Sequence, residues 1–146
     1  LNIYIGEMAG KVLPEAFTCF TLSLDNLSEL TKRFGYTVGD GVLKDFAGLV
    51  QLMGDTEGMR GYNGVGRFVV FFEECSSKKA AAMIRILDNQ VGEYNSLNPE
   101  YPIRYTAAWA TTEETDTYEI RELLRLSQKK WKQMEKEKKD KTEEET

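Results

Sequence analysis

Apolar residues recur along this chain with two different periods, and the switches between them predict its elements. Residues 3–13 carry Ile3, Ile5, Met8 and Val12 at loosely helical spacing, and Pro14 closes that segment. Residues 16–24 (AFTCFTLSL) are rich in Phe and Thr and partly alternate, which predicts a strand. Asp25 or Asn26 then caps a short helix through about Arg33, with Glu29 at capping-box distance from Asn26, and Gly35 breaks it. Val42, Leu43, Phe46, Leu49, Val50 and Met53 repeat at helical spacing and predict a helix over about 38–53. Glycines between Gly54 and Gly66 punctuate a hairpin. Its strands fall near 57–63 and at 67–73 (RFVVFFE), the second apolar on both faces. A long helix follows over 77–97, with Ala80, Met83, Ile84, Leu87, Val91 and Tyr94 on one side. After Pro99 and Pro102, residues 103–111 (IRYTAAWAT) alternate as a strand. The last helix starts near Tyr118 and lines up Ile120, Leu123, Leu124, Ser127, Trp131 and Met134.

Hairpin strands mixed with long helices predict an α+β sandwich, a mainly antiparallel central sheet flanked by helices. The order matches the split β-α-β-β-α-β plan of the ferredoxin-like, nucleotidyl-cyclase-type core with an added helix. That plan hosts many functions and decides none of them. The chain reads as a single domain over 1–140 with a charged C-terminal tail at 141–146. The mixed Lys/Glu run after Met134 is a solvated helix end, supported by pairs such as Glu135 with Lys139.

Composition narrows the picture. With 146 residues, 41% hydrophobic and 29% charged, the chain can bury one sizeable core. A net charge of -5 argues against a nucleic-acid surface. The unbroken apolar run Phe68 to Phe72, which no other run exceeds, is too short to cross a bilayer, so no membrane contact by this domain is expected. Histidine is absent, which removes histidine bases, nucleophiles and metal ligands. Cys19 and Cys75 allow one disulfide on arithmetic, but reduced thiols are the preferred reading, and Cys19 sits in an apolar run as a core residue. The start at Leu1 rather than Met suggests a piece of a longer protein.

Three segments carry a family resemblance. Residues 24–50 (LDNLSELTKRFGYTVGDGVLKDFAGLV) follow a pattern in which a strand ends in D-x-D and continues through F-K-x-x-N-D to G-H-x-x-G-D-x-x-L; Gly35, Gly39, Asp40 and Leu43 match. Residues 62–72 (YNGVGRFVVFF) stand where R-Y-G-G-D-E-F precedes an apolar strand, with Gly64 and Phe68 at the first and last signature letters. Residues 123–134 (LLRLSQKKWKQM) follow L-L-x-x-A-D-x-A-L-Y-x-A-K. In order and spacing the chain resembles a GGDEF domain, the diguanylate cyclase fold, with a degenerate signature at Gly64, Val65, Gly66, Arg67 and Phe68.

The resemblance implies a specific chemistry. Active members join two GTP molecules across two facing domains, using divalent metal held by carboxylates to neutralise the phosphates. The metal-ligand positions, the first Asp of D-x-D and the third signature residue, are here Ser23 and Gly66, and the fourth, normally acidic, is Arg67. An arginine there repels a cation. The phosphate-contacting Lys corresponds to Ser28, the guanine-reading Asn to Thr31, the family's His to Tyr36, the second signature glycine to Val65 and the late Lys to Glu135. The guanine-contacting Asp is kept as Asp40. The product-inhibition motif R-x-x-D matches Asp55 to Gly58 and lacks both charged ends.

Each candidate has a plainer explanation. Gly64 and Gly66 close a tight hairpin needing positive φ, or leave room for a nucleotide; the hairpin is preferred. Asp25 is a leftover metal ligand or an N-cap, and Asp40 a base contact or a cap of the helix near Gly41. Arg67 is an exposed strand residue, or forms an anion patch with Lys32 and Arg33. Trp109 and Trp131 are packing residues. The expectation is a catalytically inactive signalling or protein-interaction module of a larger bacterial, cytoplasmic protein, with a protein partner or homodimer and no cofactor. The alternative is a weak GTP or ATP sensor or slow hydrolase, which would keep residual nucleotide contacts at Asp25, Asp40 and Gly64 and need magnesium. An active cyclase is the least favoured reading.

Overall fold

The computed structural model describes residues 1–54, 58–62 and 64–145. Its centre is strand β1 (Thr18–Leu24), every residue of which is buried. Alternation along β1 sends Phe20, Leu22 and Leu24 to one face and Cys19, Thr21 and Ser23 to the other. Strand β3 (Arg67–Phe72) pairs with one side of β1, and β4 (Tyr105–Thr111) with the other. The short β2 (Met59–Tyr62) adds to β3, giving the order β2-β3-β1-β4 with every neighbouring pair antiparallel. This is the predicted α+β sandwich.

Helices cover both faces. Helix α2 (Leu27–Phe34), α3 (Tyr36–Gln51) and α4 (Ser77–Leu97) lie over Phe20, Leu22, Phe68, Val70 and Phe72. The opposite face receives α1 (Asn2–Met8) and the long α6 (Ile120–Glu145), which bury Cys19, Phe71 and Ala110 under Ile120 and Leu123. The two cysteines are buried, unpaired, and belong to different clusters on opposite sides of the sheet. No described helix is long and apolar enough to cross a membrane.

Helix α4 occupies the predicted residues, capped by Ser76, whose hydroxyl accepts from Lys79 N–H at 3.1 Å. Elsewhere the boundaries move. Helix α1 ends at Met8, and Gly10 turns the chain at φ 80°. Helix α3 begins at Tyr36, because Gly35 (φ 95°) serves as the C-cap of α2 and the N-cap of α3 together. Asp40 therefore lies in the second turn and is not a cap. Asn26 is the N-cap residue of α2, but its side chain reaches the segment before β4 instead of the helix. It donates to Pro102 O at 2.7 Å and accepts from Arg104 N–H at 3.2 Å. The four-residue helix α5 (Thr112–Thr115) was too short to leave a periodic signal. Helix α6 continues to Glu145, through the stretch expected as a tail, with the Glu135–Lys139 pair formed at 3.4 Å. Residues 55–57, which hold most of the segment matched to R-x-x-D, lie outside the described residues.

Candidate functional site

Ser23 and Arg67, two of the positions matched to acids in the family pattern, meet at the C-terminal end of β1. Ser23 is in register with Arg67 on β3 and Thr106 on β4, and alternation points all three toward α6. Two helical positions seven residues apart come down on this row. Trp131 donates its indole N–H to Ser23 Oγ at 2.7 Å, and Lys138 Nζ donates to Tyr105 O at 2.6 Å and Thr106 Oγ1 at 3.2 Å. Both hydroxyls donate hydrogen bonds to one carboxylate: Ser23 Oγ to Asp25 Oδ1 at 2.6 Å, Thr106 Oγ1 to Asp25 Oδ2 at 2.5 Å. Asp25 is thus the end point of two hydrogen-bond chains and not a helix cap, its backbone N–H going to Arg104 O at 2.8 Å. The Arg67 guanidinium lies over the Trp131 ring, 4.3 Å from its centroid.

The hairpin closes the site from the β3 side. Gly64 (φ 84°) and Gly66 (φ 78°) both occupy the left-handed region, where other residues are strained. Gly66 O accepts from Leu24 N–H at 2.8 Å and its N–H donates to Tyr62 Oη at 3.2 Å. A Cβ at Gly66 would sit 3.2 Å from Leu24 O, a tight contact, so both φ and packing disfavour a side chain at the third signature position. Val65 is exposed at the tip, whereas Phe68 turns into the core against Phe46, with ring centroids 5.6 Å apart.

The base-reading positions are engaged within their own helices. Thr31 Oγ1 donates to Leu27 O at 2.9 Å, and Gly39 packs so close that a Cβ there would approach this hydroxyl to 2.3 Å. Asp40 pairs with Lys44 at 3.0 Å, one turn on, and this hydrogen bond is the main cause of a raised Lys44 pKa. The suggested anion patch does not form as one unit. Arg33 stacks on Phe34 beside the groove between α2 and residues 99–104, while Arg67 lies on α6.

A family model described as "Diguanylate cyclase, GGDEF domain" matches residues 8–141. The chain belongs to the GGDEF domain family. Solved structures agree on the fold. The active GGEEF domain of a diguanylate cyclase from Vibrio cholerae superposes with a TM-score of 0.73 at 19% identity, covering 83% of this chain and 77% of that one. An EAL/GGDEF domain protein from M. capsulatus gives 0.71 at 13% identity, over 93% and 87%. The GGDEF domain of DgcB from Caulobacter crescentus, in complex with c-di-GMP, gives 0.54 at 15% identity, over 64% and 58%. No protein of curated function matches the chain.

Diguanylate cyclase chemistry implies a divalent cation, and the residues at this end of the sheet do not fit one. A hard cation needs several oxygen ligands, carboxylates above all. Here a hydroxyl, a glycine and a guanidinium stand beside one carboxylate whose two oxygens already accept hydroxyl protons. No three candidate ligand side chains converge anywhere among the described residues. The sequence alone missed Thr106 and Lys138 as members of this cluster. The available signal was the spacing of Ser127, Trp131 and Lys138 along one face of α6.

Proposed function

We propose that this GGDEF domain makes no cyclic di-GMP and serves as a signalling or protein-interaction module of a larger bacterial cytoplasmic protein. The observation that carries the reading is the network at the end of β1, where Ser23 and Thr106 each engage one oxygen of Asp25 beside the Trp131–Arg67 stack. Without carboxylates to hold a metal on the phosphates, attack of a 3'-hydroxyl on an α-phosphate loses its main source of charge stabilisation. Reinstating one acid would not repair this. Ser23→Asp would rebuild D-x-D with Asp25, but Gly66 would still offer no ligand and the Arg67 guanidinium would still stand where the family pattern has an acid.

The test is incubation with GTP and magnesium, followed by chromatography for cyclic di-GMP, alongside calorimetric titration with GTP and ATP with and without magnesium. No product and no heat are expected; dinucleotide formation would overturn the reading. A second reading, weak GTP or ATP binding without turnover, draws on the cyclic di-GMP named with the DgcB domain and on the retained Asp40. It predicts saturable heat that Asp40→Ala abolishes.

A further inference from the structure

The solvent side of α6 carries a pattern that neither the core nor the network at the end of β1 uses. Ile120, Leu123, Ser127 and Trp131 mark the buried side of this helix. On the opposite side Arg121, Arg125, Lys129, Lys132, Lys136 and Lys139 recur three or four residues apart, all exposed, in one row about 27 Å long. Along the sequence the signs are mixed; wound into a helix they separate. Residues 121–139 hold eight Lys or Arg against three Glu, in a chain whose net charge is -5. Glu122 pairs with Arg125 and Glu135 with Lys139. Arg121, Lys129, Lys132 and Lys136 form no ion pair among the described residues.

The borders of the row decide what it fits. Gln128 and Glu135 run along one side, Glu122, Gln133 and Asp140 along the other, and no apolar residue stands in the row or its borders. A broad anionic surface, a bilayer or a nucleic-acid duplex, would meet these carboxylates together with the cations and be repelled by them. A bilayer would also find no apolar side chain to take up. A single file of carboxylates meets the cations alone, and acidic residues three and four apart on a second helix form such a file at matching steps. One exposed pair contributes little, but a row of them fixes orientation and register. We propose that this row is a docking strip for an acidic helix of a partner protein, laid along α6 so that each cation faces a carboxylate. The inference rests on the protein-interaction reading above but not on catalytic silence, since the row faces away from Ser23 and Arg67. Dinucleotide synthesis would leave this binding untouched, and failure to bind would leave the silence untouched.

The test titrates the 146-residue protein with an alanine-based helical peptide carrying Glu at the same three-and-four spacing, read by fluorescence anisotropy at low and high salt. Saturable binding that weakens with salt is expected. A peptide of the same composition, with its Glu residues spread around the helix, should bind about tenfold more weakly or worse. Lys132→Glu reverses a charge within the row and should weaken binding by about tenfold, whereas Lys130→Glu makes the same change beside the row and should cost about threefold or less. Lys129→Glu/Lys132→Glu/Lys136→Glu should abolish binding. Glu is as good a helix former as Lys, and circular dichroism verifies that each variant is folded. Equal affinity for the two peptides, equal effects of Lys130→Glu and Lys132→Glu, or no binding by the parent would overturn the proposal. Tighter binding to a DNA duplex or to phosphatidylglycerol vesicles than to the striped peptide would overturn it as well.

Discussion

The two faces of the sheet are built by different physics. Toward α3 and α4 the contact is apolar and aromatic. Phe20 meets Phe72 edge-on at 5.7 Å, Phe46 meets Phe68 at 5.6 Å, and Val50, Met83 and Leu87 fill between them. Toward α6 the contact starts apolar, at Ile120 and Leu123, and then turns into a row of directed hydrogen bonds: Thr21 with Ser127, Ser23 with Trp131, Thr106 with Lys138. Burial of apolar area is non-directional and tolerates small slides of one element on another. A hydrogen-bonded row does not, since a shift of one turn along α6 would leave each buried hydroxyl without its partner. The first face supplies most of the cohesion. The second fixes where α6 sits, and Ser23 and Arg67 lie under it.

Substitutions on the two faces should therefore separate by size. Phe46→Ala removes a fully buried ring from the aromatic face and should cost about 3–5 kcal/mol in chemical denaturation, the largest effect here. On the hydroxyl face, Thr21→Val strands the buried Ser127 hydroxyl and should cost about 1–3 kcal/mol, while Thr21→Val with Ser127→Ala should recover most of the loss. An additive double variant would contradict the directional account. Trp131→Phe keeps most of the bulk but loses the bond to Ser23 and weakens the Arg67 stack, a loss of about 1 kcal/mol. A double-mutant cycle with Ser23→Ala measures how much of that loss is the hydrogen bond.

The smallest effect near neutrality comes from Cys19. Burial pushes its thiol pKa up to about 12, whereas the unfolded chain releases the proton near the ordinary thiol value of 9. The folded state binds that proton more tightly, so the contribution to stability is complete below pH 9 and falls as pH rises toward 12. Denaturation midpoints should decline over that window, and less so in Cys19→Ala. Native protein should also resist alkylation at pH 8.

Much of this domain was legible in its sequence. Apolar periodicity placed the strands and gave α4 its observed bounds, and the spacing of Gly35, Gly39, Asp40, Leu43, Gly64 and Phe68 pointed to the family. Positive φ at Gly64 and Gly66 followed from hairpin requirements alone. Local rules failed where a side chain had a choice of partner. By sequence Asp25 and Asn26 are caps, Asp40 is a cap or a base contact, and Lys138 is one more lysine in a solvated run. Asp25 instead accepts hydrogen bonds from Ser23 and from Thr106, 81 positions away, and the Ser23–Trp131 bond spans 108 positions. Composition and period are properties of neighbouring residues, so the chain alone determined the elements and their buried faces, and it sets Ser23, Gly66 and Arg67 at positions matched to acids in the family pattern. Which polar groups meet depends on strand register and on the seating of α6, which exist only once the sheet has assembled. The tertiary structure thus decided that Asp25 is bound by its own fold's hydroxyls and that a side chain at Gly66 would be strained and crowded by Leu24 O.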